Sequence, residues 1–233
     1  DVYKRQEIQR ELTQEEYEQI IKANQERMAK DLENWFNKEE INDEEICDIL
    51  ITYAGGHKRW ELFCKLVERA NLTKKAFNVG LKEAWIGGLG SKDFLAYMYF
   101  EESDPQLIMN EEELTYYDSL PPTVTLYRGC SKDEVEDKTL GFSWTTDRKV
   151  AEFFAFRHEQ EDTAVYSIEV PKRFISAIFL ERREFEAIYL YANEEDDLSV
   201  NLVTEVPTEY YDNFIKEQEE EKEQYLREVE GSV

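Results

Sequence analysis

From about residue 7 to residue 118, apolar positions recur three and four residues apart, the spacing of a helix with one buried face. Tyr17, Ile20, Ile21, Met28, Leu32, Trp35 and Phe36 mark a first helix. Thr13 is its N-cap, and Glu16 completes a capping box. Asn42 and Glu45 repeat that box ahead of Ile46, Ile49 and Leu50, and Gly55-Gly56 stops the second helix. Trp60, Leu62, Phe63, Leu66 and Val67 mark a third. A fourth runs from Thr73 to Trp85 and ends near Gly87-Gly88. Ser91 opens a fifth, carrying Phe94, Leu95, Tyr97, Met98 and Phe100, and a last helical stretch spans 111–120. The first six residues fit no element.

At Pro121-Pro122 the period changes. Thr123–Arg128 is rich in β-branched and aromatic residues, which predicts a strand, and 139–145 predicts a second. Between Asp147 and His158 the apolar residues Val150, Ala151, Phe153 and Phe154 return to helical spacing. Strands are expected over 164–170, 174–180, 186–191 and 198–206, the last closed by Pro207. From Thr208 the chain reads as a helical, acidic tail that is solvated or frayed. The expected organisation is a helical N-terminal region (7–120), a strand-rich domain (121–207) and the tail (208–233). Segregated helices and strands predict an α+β fold.

Composition narrows the partners. The 233 residues are 41% hydrophobic and 13% aromatic, enough for a packed core. With 28 basic and 53 acidic residues the net charge is −25, which disfavours binding to nucleic acid and to anionic membranes. It would steer a basic or arginine-bearing partner inward, although solubility explains it equally. Cys47, Cys64 and Cys130 are odd in number and widely spaced, and only His57 and His158 are present. Neither a disulfide framework nor a metal site is expected. No apolar run approaches a membrane span, and the first residues show no leader pattern. The cytoplasm, of the producer or of a target cell, is the expected compartment.

Three stretches carry candidate chemistry. Leu126-Tyr127-Arg128-Gly129 puts an arginine in an apolar strand, where it needs a partner if it turns inward and none if it ends in solvent. Gly141-Phe142-Ser143-Trp144-Thr145-Thr146-Asp147 puts two hydroxyls on one strand face ahead of a capped helix. Glu184-Phe185-Glu186 puts two carboxylates two residues apart, on the same side if extended, where each raises the other's pKa unless cations or hydroxyls compensate. Each stretch alone reads equally as ordinary strand or solvated edge.

Taken in order and at this spacing, from about Val124 to Val203, the three stretches resemble the mono-ADP-ribosyltransferases of the Arg–Ser–Glu type, toxin- or phage-like. The resemblance implies a split β-sandwich that clamps NAD, as substrate, in a central cleft. Arg128 would hold the phosphate and ribose side, and Gly129 would admit the nicotinamide amide. Ser143 would tie Arg128 to the catalytic glutamate. Thr145 keeps the hydroxyl of a second family serine, and Trp144, in place of threonine, would pack in the core. Glu186 matches the catalytic glutamate, and Glu184 the residue that orients or deprotonates an arginine acceptor. Phe154 and Arg157 would meet the nicotinamide and phosphates, or serve as helix core and surface. The stretch between Leu180 and Glu184 implies a small target-recognition loop, with Arg182 and Arg183 able to neutralise the glutamate pair. The implied activity is transfer of ADP-ribose to a protein side chain, arginine by the Glu-x-Glu, with release of nicotinamide. A binding module that keeps the fold without turnover, and an NAD glycohydrolase, fit the same residues.

Overall fold

The computed structural model describes residues 13–87, 94–158, 162–192 and 199–230. Ser91, expected to open the fifth helix, and residues 193–198, which hold the start of the last expected strand, lie outside them. The fold is α+β, with ten α-helices and one six-stranded antiparallel sheet among the described residues. It divides into two compact units, residues 1–89 and 90–233. No helix among the described residues is long and apolar enough to cross a membrane.

In the first unit, α1 (Gln14–Phe36), α2 (Asp43–Tyr53), α3 (Arg59–Arg69) and α4 (Lys74–Gly87) follow the predicted pattern. Both predicted capping boxes form, at Thr13 with Glu16 and at Asn42 with Glu45. Ile46, Ile49, Leu50, Phe63, Leu66 and Leu81 are fully buried where α2, α3 and α4 meet. Gly80 permits that approach, since a Cβ there would lie 2.7 Å from Ile46 Cγ1. The apolar stripe at the start of α1 differs: Tyr17, Ile20 and Ile21 remain exposed.

The second unit begins with α5 (Phe94–Glu102), α6 (Pro105–Ile108) and α7 (Glu111–Ser119). They belong with the sheet, so Pro121-Pro122 marks a change of secondary structure inside one compact unit rather than its edge. The strands are β1 (Thr123–Ser131), β2 (Ser143–Thr145), β3 (Thr163–Pro171), β4 (Ile175–Phe179), β5 (Glu186–Tyr189) and β6 (Asn201–Thr204). Between them lie α8 (Lys132–Glu136), after β1, and α9 (Arg148–Phe156), after β2; α10 (Glu209–Glu230) closes the chain. Phe100 of α5 stacks on Phe179 of β4, and the buried Glu113 of α7 accepts the Leu180 amide at 3.3 Å.

The sheet order is β4-β5-β2-β1-β3-β6. β1 and β3 pair along nine residues, but β1 and β2 meet at a single pair, Tyr127 with Thr145. The sheet is therefore two three-stranded halves joined at one point. The strand expected over 139–145 shortens to three residues because Gly141 and Phe142 turn: their carbonyls accept Trp144 Nε1 at 3.1 Å and the Tyr189 amide at 2.9 Å.

α9 lies against β1 at Gly129, where a Cβ would stand 2.2 Å from the Ala151 carbonyl oxygen and 2.5 Å from the Ala155 amide nitrogen. The acidic tail differs from its solvated expectation, because its first turns dock on α9. Phe214 stacks on Phe153 and Tyr211 on Phe156. Glu152, fully buried in α9, accepts from Arg148 Nε at 2.9 Å, from the Thr208 and Tyr211 amides at 3.3 and 3.2 Å, and from the Thr208 hydroxyl. It thus supplies an acceptor to amides at the N-terminus of α10, where Tyr211 also donates to the Thr208 carbonyl at 3.1 Å.

Candidate active site

A cleft of about 170 Å³ opens where β1 and β2 part. Tyr127, Arg128 and Gly129 of β1 line it, with Ser143, Trp144 and Thr145 of β2, Val150, Ala151 and Phe154 of α9, and Glu184 and Glu186 on the third side. Stretches 58 residues apart (Arg128 to Glu186) thus reach one cavity, and of the expected site residues only Arg157 is not among those that line it.

The register explains the grouping. Tyr127 pairs with Thr145, Thr145 with Glu186, and Ser143 with Ile188, so Ser143, Thr145 and Glu186 share one face. Arg128, next to Tyr127 on β1, alternates to the opposite face and also lines the cleft. Its Nη1 donates to the Ser143 carbonyl at 2.6 Å, and its Nη2 pairs with Glu134 Oε2 at 3.0 Å. Its side chain is 15% exposed, and its buried Nε has no partner among the described residues. A buried donor left in this state favours an acceptor arriving from outside.

The structure adds a contact at each of two expected residues. Ser143 holds Arg128 through its backbone carbonyl rather than its hydroxyl. Gly129 lines the cleft, but the atoms that demand a glycine are those of α9.

The Glu-x-Glu stretch is bent, not extended. Residues Glu181–Arg183 form a short segment kinked at Arg182, Glu184 follows in the right-handed region, and Phe185 has φ 46°. Arg182 and Arg183 also have positive φ, 57° and 56°, so three non-glycine residues hold a backbone conformation that costs about 1–3 kcal/mol each. The turn is pinned from β2. Thr145 Oγ1 donates to the Glu184 carbonyl at 2.7 Å, and the Thr146 amide donates to the Phe185 carbonyl at 3.2 Å. Thr145 therefore positions the glutamates through the backbone.

Glu186 is buried at the start of β5, 9% exposed. Glu184 is half-buried, and that burial holds its pKa above the ordinary carboxylate value. The charges of Arg182 and Arg157 oppose the rise, with Arg182 Nη2 3.4 Å from Glu184 Oε2. Arg157 ends α9, its guanidinium 4.5 Å from the Phe154 ring centre. Trp144 is buried as core, with its indole N–H satisfied.

Sequence reasoning missed Glu134, the carboxylate that holds Arg128, and Tyr127, which joins the two sheet halves. Ser131 with Glu134 three residues on is an N-cap signal for α8 that would have located the first. No family model, curated protein or solved structure matches this chain.

Proposed function

We propose that the chain is an NAD-dependent mono-ADP-ribosyltransferase that modifies arginine on a protein and releases nicotinamide, its second unit being a split β-sandwich of that family. The observation that carries the reading is the convergence of Arg128, Ser143, Glu184 and Glu186 on one cleft, beside the Phe154 ring. The residues fit the ligand: a guanidinium with an unpartnered Nε for phosphate or ribose oxygens, an aromatic wall for nicotinamide, and a buried carboxylate for the ribose.

In the proposed reaction the bond between ribose C1′ and the nicotinamide nitrogen breaks, and its electron pair stays on that nitrogen. Nicotinamide leaves neutral, so no acid is needed to protonate it. Positive charge grows on the ribose as in glycoside cleavage, and Glu186 stabilises it. A guanidino nitrogen of the acceptor then bonds to C1′ and gives up a proton to Glu184. The raised pKa of Glu184 makes it a better proton acceptor than an ordinary carboxylate.

The test is labelling. NAD labelled on its adenosine half is incubated with the protein and a cell lysate. Wild type is expected to label lysate proteins, and Glu184→Gln to reduce labelling at least tenfold, a loss of about 1.4 kcal/mol in the transfer step. Nicotinamide release without labelled protein would assign the cleft to a glycohydrolase. NAD binding without nicotinamide release would leave only a binding module.

A further inference from the structure

The first unit leaves most of α1 without packing. The helix runs for 23 residues, about 35 Å, and none of them is buried. Helices take most of their stability from packing an amphipathic face, so a long helix with no buried residue lacks a partner. The face itself is present: Tyr17, Ile20 and Ile21 form an apolar stripe, 54%, 46% and 38% exposed. α1 meets its own unit near its other end. There Glu33 pairs with Arg69 at 2.9 Å, the Arg69 guanidinium lies 4.0 Å from the Phe36 ring centre, and Leu32 and Phe36 line a hollow with Leu62 of α3.

The charges along α1 are divided in a way that suits one partner. Glu15, Glu16 and Glu18 stand in its first turns with no cation among them, and Lys22, Arg27 and Lys30 follow with the single carboxylate Glu26. Lys22, Arg27 and Lys30 form no ion pair among the described residues. Tyr17, Ile21, Asn24 and Met28 recur four, three and four residues apart, the seam spacing of a two-stranded coil, and a single polar seam residue such as Asn24 fixes its register. Laid antiparallel on a second copy, Tyr17 stands opposite the partner's Met28 and Ile21 opposite the partner's Asn24. The same offset sets Glu18 opposite the partner's Arg27 and Glu15 opposite the partner's Lys30. Gln14 then falls opposite the partner's Asp31, just short of Leu32, where α1 turns to its own unit. A parallel pair would instead stack the glutamates of both copies at one end, where like charges repel. The same glutamates disfavour an anionic membrane as the cover of the stripe.

We infer that α1 is a self-association helix: it binds α1 of a second copy of this chain, antiparallel, through Tyr17, Ile20, Ile21 and Met28 and through the glutamate–cation pairs that flank them. The inference is independent of the reaction assigned to the cleft.

The test is sedimentation velocity of the full chain from about 1 to 100 μM, the range suited to a short interface. Wild type is expected to pass from monomer to dimer across it, and the dimer to weaken as salt is raised. Ile21→Glu puts a carboxylate in the seam at an exposed position and is expected to raise the dimer Kd at least about a hundredfold. Glu15→Lys with Glu18→Lys makes one charge-reversed chain, and Arg27→Glu with Lys30→Glu makes another. Each alone is expected to raise the Kd at least about tenfold, and an equimolar mixture of the two to restore wild-type association. Melting curves check that every variant remains folded. Under air oxidation Tyr17→Cys is expected to cross-link to Met28→Cys in a mixture and not to itself. Self-linking alone would mean a parallel pair and overturn the arrangement. A wild-type chain that stays monomeric at about 100 μM would overturn the inference; if that monomer floats with phosphatidylserine vesicles, the stripe belongs to a membrane. A dimer that Ile21→Glu leaves intact would place the interface elsewhere and overturn it. A dimer lost in Ile21→Glu but indifferent to salt and to both charge reversals would overturn the charge-matched pairing.

Discussion

Gly129→Ala tests how the cleft is built. The added methyl would stand 2.2 Å from the Ala151 carbonyl oxygen and 2.5 Å from the Ala155 amide nitrogen. Both are backbone atoms of α9, so no side chain can rotate away. A carbon–oxygen contact relaxes only beyond about 3.3 Å, so α9 must retreat by about 1 Å. Ala151, Ala155 and Val165 form a buried cluster at this contact, and the retreat loosens it. Overpacking of this kind costs about 2–3 kcal/mol, which lowers the melting midpoint by about 5–10 °C in a chain of this size. The same shift displaces Val150, Ala151 and Phe154, which wall the cleft, so NAD affinity falls with stability. Hydrogen exchange of β1 and α9 peptides reads the stability, and calorimetric titration with NAD reads the affinity. Gly55→Ala is the control, since nothing lies within 4 Å of its added carbon. Gly129→Ala with wild-type exchange and unchanged NAD affinity would refute the claim that α9 rests on this glycine.

Other outcomes follow from the same contacts. Glu152→Ala removes the acceptor of the Thr208 and Tyr211 amides and of Arg148, all around a fully buried carboxylate; we expect a loss of about 3 kcal/mol and fast exchange confined to α9 and α10. Arg128→Lys keeps the charge but not the fork that spans Ser143 and Glu134, and is expected to weaken NAD binding at least tenfold, about 1.4 kcal/mol, by titration. Glu184 has its folded pKa raised by burial, so the folded state favours its protonated form. Its contribution is present below the unfolded carboxylate pKa and is lost as pH rises through the folded value. Glu184→Gln should therefore stabilise the chain at neutral pH, and the gain should vanish in acid; denaturation midpoints across pH decide it, and a gain that grows toward low pH would contradict the sign.

Much of this arrangement was legible in the chain, because each element carries its own local signal. β-branched and aromatic residues announced β1, the capping boxes announced α1 and α2, and alternation put Ser143 and Thr145 on one face, as their register shows. What escaped depends on long-range or strained geometry. No residue type announces the positive φ of Phe185, so the bend that turns both glutamates into one cleft could not be read. Glu134 is one of 53 acidic residues, and only the fold shows that it faces Arg128. The docking of α10 had a signal, Tyr211 and Phe214 three residues apart, but the acidic run after them outweighed it. In α1 the error ran the other way, since Tyr17, Ile20 and Ile21 have helical spacing and yet stay exposed.

The central claim is that the cleft cleaves NAD at the nicotinamide bond with Glu186 as the catalytic carboxylate. The direct measurement is nicotinamide released from NAD over time by the wild-type chain and by Glu186→Gln, with folding of both checked by their melting curves. The account predicts release by wild type and a fall of at least about a thousandfold in the variant, about 4 kcal/mol of transition-state stabilisation. Equal release by two equally folded proteins, or none by wild type with or without an arginine-bearing acceptor, would contradict it.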